Sequence, residues 1–557
     1  MRVPLMLSAC LLALGWLMPI HFRPWMAFHA DAWVAAVLLV ATFILVFFVR
    51  GSVAIHRITI LAGFLVCVPW LQYAAGLIQQ SGLAWISCAY QLGLLLALLV
   101  GARWESKAAG QLGDALFLAI GMAAICSVGL QLQQWLQLGG LDLLSMGGGS
   151  ARPYANMGQP NQLATFLLWG VLAAAWGYCR RVLGAFIAVA LSAYLLFGVA
   201  LTGSRSAWLG VLLLVVAAWC WRHLWSGRRV LWVITGLGLY FVLCVLFVGW
   251  IKQLMAGSAL LDAAELIRMN AELRPLAWKM LIDAALLHPL WGHGWNQTIL
   301  AQMAVAAEHP HIPAFFTYSH NLFLDWVLWC GIPMGLCISA ALVWWFWKRL
   351  RAVRSAENWV LVSFLVIAMN HAMLELPLSY AYILLPLGLV MGMLDARLGS
   401  KPVLYMGRAF LCVLWLSAAL LLAILVSDYS RVEASYQILR LQWARIKITL
   451  PVEPPDVLLL TQWHDYIEFA RMEPRRGVGA QELEWMRDLT GLFPGDMSMH
   501  KLATFLALNQ QPDEARVWLV RMCKTIPAVE CRNVGSIWAK QSLLYPEIAA
   551  IPWPVIQ

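Results

Sequence analysis

A chain of 557 residues that is 62% hydrophobic and only 12% charged, with a mean hydropathy of +0.75, is no soluble globular domain, since those carry about a quarter charged residues. The formal net charge of +10 would suit a nucleic-acid binder, but the basic residues fall in short loops between apolar runs, where they report membrane topology. The composition excludes soluble enzymes and nucleic-acid partners and leaves an all-α polytopic membrane protein in contact with lipid.

At about 20 residues per crossing, the chain accommodates about 13 transmembrane helices, centred near Leu12, Leu39, Cys67, Leu95, Ile125, Leu168, Leu191, Leu213, Leu239, Leu336, Leu365, Leu387 and Leu416. The first starts with a basic residue, Arg2, but no small-residue cleavage site precedes His21, so it reads as an anchor. Alternate loops hold Arg50 and Arg57, Arg103 and Lys107, Arg180 and Arg181, Arg222 with Arg228 and Arg229, Lys348 to Arg354, and Arg397 to Arg408. The intervening loops hold little beyond Arg23, Arg152 and Arg205, so the first set is expected to be cytoplasmic. Four regions follow: N-terminal spans over 1–251, a large periplasmic loop over 252–320, C-terminal spans over 321–427, and a periplasmic tail over 428–557. Of the twelve cysteines, all but Cys523 and Cys531 lie in or beside apolar spans. The exported compartment permits a disulfide between those two, but their spacing does not establish one.

The first chemical motif is Tyr154-Ala155-Asn156-Met157-Gly158-Gln159-Pro160-Asn161-Gln162-Leu163-Ala164. It reads as a turn into the sixth span with Asn161 as N-cap. It also gathers four amides, Asn156, Gln159, Asn161 and Gln162, suited to hydrogen-bonding sugar hydroxyls. Next, Thr202-Gly203-Ser204-Arg205 places a cation in a very short loop near hydrocarbon depth. Burial there calls for a counter-charge, and a guanidinium fork matches phosphate oxygens. A surface arginine snorkelling to water is the plainer reading.

The large loop carries Arg268, Arg274 and Lys279 together with five histidines, His288, His293, His309, His311 and His320. Arg274 and Lys279, five positions apart, need not share a helical face. His288-Pro289-Leu290-Trp291-Gly292-His293-Gly294 is a turn whose glycines would let backbone approach a ligand. His309-Pro310-His311 lacks the carboxylate or cysteine companions of a metal site. The loop ends in Tyr318-Ser319-His320-Asn321, where His320, fixed beside the apolar run from Leu322, could act as a base. Asp325 reads as a local cap or partner. In the tail, Leu502–Leu508 and Pro512–Leu519 form two short amphipathic helices about a turn at Asn509-Gln510-Gln511-Pro512, a unit similar to a tetratricopeptide hairpin without enough copies for an array.

Taken together, the Asn156–Ala164 motif, the Ser204-Arg205 step, the His288–Gly294 turn, the Ser319-His320-Asn321 step and His371-Ala372-Met373-Leu374-Glu375-Leu376-Pro377-Leu378-Ser379-Tyr380 resemble PglL-type bacterial O-linked protein oligosaccharyltransferases, relatives of the O-antigen ligases and Wzy polymerases. The resemblance spans nearly the whole chain. It implies a GT-C-like fold in the bacterial inner membrane and transfer of a preassembled glycan en bloc from undecaprenyl pyrophosphate to a serine or threonine of a periplasmic protein such as pilin. The transfer would be inverting and independent of metal or other cofactor. By resemblance, Arg205 and Arg274 neutralise the pyrophosphate and His320 activates the acceptor hydroxyl. Arg268 and Lys279 are expected to assist. Asn156, Gln159, Asn161, Gln162, His293, Tyr318, Asn321, His371, Glu375 and Tyr380 would shape the substrate site. Gln162 stands where the family often has histidine, so donor preference can differ.

Competing expectations are an O-antigen ligase or Wzy-type polymerase using the same donor, and a transporter or flippase. The extended tail and Glu375-Leu376-Pro377-Leu378 weigh against the O-antigen ligase. The lack of matching Gly/Pro-broken spans in two repeated halves weighs against transport.

Overall fold

The computed structural model describes residues 2–140, 144–146, 152–225, 227–255, 259–447 and 453–554; the side chains of 2–5, 252–255 and 259–272 lie outside that description. The described chain is almost wholly helical, with one two-stranded antiparallel ladder pairing Val53 with Met406, Ala54 with Tyr405 and Ile55 with Leu404. It is an all-helical polytopic membrane protein. By length and composition, seven helices can cross a bilayer: Phe28–Phe47, Arg57–Ala74, Ser81–Lys107, Gln111–Leu136, Pro160–Cys179, Arg228–Ile251 and Arg408–Trp443. Met6–Trp16, Ala185–Leu201 and Arg205–Cys220 are shorter apolar helices.

The other expected spans differ instructively. Ala356–Ala372 and Ala381–Arg397 are 17 residues each, about 25 Å at 1.5 Å per residue. The run expected as one span about Leu336 is two helices, Leu322–Cys330 and Ile332–Arg351, broken at Gly331 with φ +81°.

The chain divides into two compact units. The first comprises 1–66, 89–266 and 341–423. Its centre is the largely buried Pro160–Cys179 helix, where Trp169 stacks on Phe364 with ring centroids 3.8 Å apart. Small residues bring helices together: a Cβ on Gly101 would clash with the Leu389 backbone, and one on Gly392 with that of Leu98. Charged helix ends are cross-linked by Arg180 to Asp114 (2.9 Å) and Glu357 (3.3 Å), and by Arg397 to Glu105 (2.6 Å) and Glu357 (2.7 Å).

The second unit comprises 67–88, 267–340 and 424–557. The Arg408–Trp443 helix runs unbroken through residue 428. Beyond it, the Asp428 carboxylate accepts the backbone N–H groups of Leu458, Leu459 and Leu460. The expected hairpin is present as Asp496–Leu508 and Pro512–Thr525, with Pro512 opening the second helix. Asn509 ties its turn to the preceding segment, accepting from Val478 N and donating to Arg475 O, each at 2.9 Å. Leu502, Phe505, Leu506, Leu519 and Met522 fill the tail core, joined by Met303 and Ala306 of the large loop. Cys523 and Cys531 form the disulfide that spacing alone left open.

Candidate functional site: two polar clusters

In the first unit, the Tyr154–Gln159 turn is templated by the buried Gln134. Its carbonyl oxygen accepts from Tyr154 N and Ala155 N, and its amide donates to Ala155 O. Asn156 likewise braces backbone, its amide donating to Leu17 O and Leu144 O and its carbonyl oxygen accepting from Met146 N. The N-cap of the following helix is Gln159, half-buried and without a side-chain cap bond, because Pro160 occupies the first helical position. Asn161 is therefore not the N-cap. It sits inside the first turn and points across the fold, donating to Glu375 Oε1 at 3.0 Å and accepting from Arg152 Nη2 at 3.2 Å.

Around this bridge lies a dense polar network. Gln162 accepts from Tyr382 Oη at 2.6 Å, and Asp31 accepts from Tyr90 Oη and Tyr382 N. His371 is fully buried with Nδ1 2.9 Å from Thr165 Oγ1. Tyr380, half-buried, packs its ring 5.2 Å from that of Tyr382. Arg152 was read in the sequence only as a loop charge, yet its Nε donates to Thr202 O at 2.9 Å. Burial pulls its pKa down; the Glu375 charge opposes this and the Arg205 charge adds to it. Arg205 itself is exposed and opens the Arg205–Cys220 helix, so the expectation of a buried cation does not hold within this unit.

In the second unit, Arg274 (half-buried) and Lys279 (exposed) lie on the Ala259–Leu287 helix, about 140° apart around its axis. The side chain of Arg268, on the same helix, lies outside the described residues. Trp278 of that helix donates to Ser319 O at 2.8 Å, tying it to the histidine turn. There, Ser319 N donates to the buried Asp325 Oδ1 at 2.6 Å, and Thr298 Oγ1 donates to the same oxygen at 3.4 Å. Asn321 caps the next helix, accepting from Phe323 N and Leu324 N. Between these fixed points His320 is half-buried with φ +59°, a left-handed conformation that costs a non-glycine residue roughly 1–3 kcal/mol. Its ring lies edge-on to Phe316, centroids 6.2 Å apart, within electrostatic range of the buried Asp325. The Tyr318 ring packs against Trp329.

The glycines of the His288–Gly294 turn approach protein backbone. His293 N donates to Leu328 O, Gly294 N to Trp329 O and Ile332 N to Pro289 O, so the turn braces the break at Gly331. A Cβ on Gly292 would fall 2.6 Å from Leu328 O. His293 binds Ala284 O through Nε2 at 2.8 Å. Burial depresses its pKa, the Ala284 bond opposing and the neighbouring His288 assisting. His311 binds Ile526 O at 2.8 Å and Lys524 donates to His309 O at 3.0 Å, so this segment docks on the tail. Among the described residues, His464, Asp465 and Glu468 bring potential metal-ligand atoms within 4.8 Å of one another, but Asp465 Oδ2 already accepts from Gln80 and Trp485.

Guanidiniums on the first cluster can pair with phosphate oxygens, and the imidazole on the second can take up a proton. Known proteins point the same way. Three family models match consecutive segments that together cover more than half of the chain: a protein glycosylation ligase over residues 153–176, an O-antigen ligase over 190–339, and the C-terminal part of a virulence-factor membrane-bound polymerase over 359–532. A general O-oligosaccharyltransferase of Acinetobacter baylyi is 28% identical over 523 residues, 92% of this chain and 90% of that protein. A ComP-specific O-oligosaccharyltransferase of the same organism is 28% identical over 250 residues, 44% of this chain and 45% of that protein. Over most of its length the chain is similar to PglL-type O-oligosaccharyltransferases of the O-antigen ligase superfamily, and it is an enzyme of O-linked glycan transfer.

Proposed function

We propose that this enzyme moves a preassembled glycan en bloc from undecaprenyl pyrophosphate to a serine or threonine of a periplasmic protein, pilin among them, at the outer face of the bacterial inner membrane. His320 takes the proton of the acceptor hydroxyl, whose oxygen attacks the anomeric carbon with inversion. The bond from that carbon to the phosphate oxygen breaks, and its electron pair leaves with the pyrophosphate. Arg205 and Arg274 neutralise the charge that develops there, with Arg268 and Lys279 assisting; these roles rest on the sequence resemblance. Gln159 and Tyr380 are assigned here to contact glycan or acceptor, while Asn156, Asn161, Gln162, His371 and Glu375 order the first cluster around them. A positioned base contributes roughly 10²–10⁴ in rate.

The observation that carries this reading is the turn at His320, held in a left-handed conformation between the Asp325-bound Ser319 and the capping Asn321. A strained residue pinned on both sides is how an enzyme presents a general base in a fixed orientation. The matches to ligase and polymerase models keep a second acceptor in view: lipid A core or another lipid-linked glycan. The test is co-expression with a lipid-linked glycan pathway and a pilin in a host lacking its own ligases, followed by intact-protein mass spectrometry. A glycan-sized mass shift abolished by His320→Ala and by Arg205→Ala supports the protein ligase. Unmodified pilin beside longer polymer or modified lipid A core refutes it.

A further inference from the structure

Two segments far apart in sequence converge on the turn that carries Arg205. Arg152 comes from the segment before Tyr154, and its Nε holds the Thr202 carbonyl, three residues ahead of Arg205. Gly203, at φ +59°, lies against the same side chain; a Cβ there would meet Arg152 Nε at 3.5 Å. From the other side, Asn370 donates to Ser206 O at 3.0 Å. Arg152 is itself held by Asn161, which passes the connection on to the buried Glu375. Arg152 thus lies within electrostatic range of both the Glu375 carboxylate and the exposed guanidinium of Arg205. Packing alone gains nothing from placing a second cation on the turn that a first one grips, because like charges repel. A dianion between the two removes that cost, and the planar forks of two arginines suit the oxygens of a phosphoryl group.

We propose that Arg152 and Arg205 form a two-guanidinium subsite for a phosphoryl dianion, with Asn161 and Glu375 positioning Arg152. Given the function proposed above, the natural ligand is the diphosphate of the donor, and Arg152 joins the residues that grip it. Glu375 and Asn161 then serve the donor indirectly: they hold an arginine and leave the sugar to others.

Inorganic pyrophosphate is the probe, titrated against the purified full-length enzyme in nanodiscs, with thermal unfolding and inhibition of glycan transfer as readouts. The informative variant is Arg152→Met combined with Glu375→Gln, which removes cation and counter-charge together and leaves no buried charge unpaired. It is expected to unfold within a few degrees of the parent without the probe, yet to bind pyrophosphate about tenfold or more weakly, as loss of a charged hydrogen bond implies. Arg152→Lys, which keeps the charge and loses the fork, is expected to fall between. Parental pyrophosphate affinity and transfer rate in the double variant would reduce Arg152 to a counter-ion and overturn the proposal; if that variant does not fold, parental affinity in Arg152→Lys overturns it equally. Because pyrophosphate binding is read without any acceptor, weakened binding in the variants sustains the subsite even where no protein is glycosylated, an outcome that sinks only the proposed function.

Discussion

Asp325 offers the sharpest test of how the turn carrying His320, the proposed base, is held. Its Oδ1 takes the Ser319 N–H at 2.6 Å, immediately before a His320 whose φ is +59°. Replacing Asp325 by alanine deletes a charge-assisted bond that contributes about 1.5–3 kcal/mol and leaves a buried donor unpaired. That loss matches the roughly 1–3 kcal/mol of strain stored at His320, so the turn would cease to be held in one conformation. With about 1.4 kcal/mol per factor of ten, the active fraction falls roughly 10- to 100-fold. Asp325→Asn keeps a carbonyl oxygen in the same place and should lose no more than about fivefold. The assay is the initial rate of acceptor mass shift in membranes containing matched amounts of enzyme. An alanine variant at the parental rate would refute the reasoning, and so would an asparagine variant as impaired as alanine, which would make charge and not the hydrogen bond the working element.

Further outcomes follow from other contacts. Glu105, almost fully buried, accepts from Arg397 Nε at 2.6 Å and from Gly110 N; Glu105→Ala should destabilise the first unit by about 3–5 kcal/mol, read as thermal unfolding in detergent, and a variant melting with the parent would show the pair to be dispensable. The Cys523–Cys531 bridge spans a sequence separation of 8, a short loop whose closure is worth roughly 2–3 kcal/mol; Cys523→Ser with Cys531→Ser should speed hydrogen exchange across 512–542, and unchanged exchange would count against any stabilising role. Burial holds the pKa of His500 below its usual 6.5, with the Gln541 bond and the Asp496 charge opposing. The unfolded chain therefore takes up a proton where the folded chain resists it, so this contribution is complete above pH about 6.5 and is lost as pH falls through the folded value. Exchange protection of 496–508 should drop between pH 7 and 5 in the parent and stay flatter in His500→Gln; parallel profiles would exclude the histidine as the cause.

Hydrophobic runs and local turn chemistry were legible in the sequence because they depend on near neighbours. The hairpin about Asn509–Pro512 is present at the expected place for that reason. Asn161 misled because Pro160 claims the first helical position, and its partner, Glu375, lies 214 residues away. Gly292 and Gly294 did signal a close approach, but nothing local says whether glycine admits a ligand or the backbone of Leu328–Gly331. Arg152 passed as one loop charge among many; only the bonds to Thr202 and Asn161 distinguish it. The left-handed His320 carries no sequence mark either, since its conformation is imposed by Asp325, Asn321 and Trp278 acting on its neighbours.

The docking of residues 309–312 on the end of the Pro512–Thr525 helix bears on how such enzymes can be re-engineered. Ile312 N donates to Lys524 O, His311 grips Ile526 O, and Met303 and Ala306 lie within the tail's own core. The tail is thus no detachable module: grafting it from one enzyme onto another leaves foreign side chains beneath the segment that leads into His320. A chimera that exchanges the tail must carry 298–316 along with it, and the boundary for recombination lies inside the loop, well before the last membrane helix.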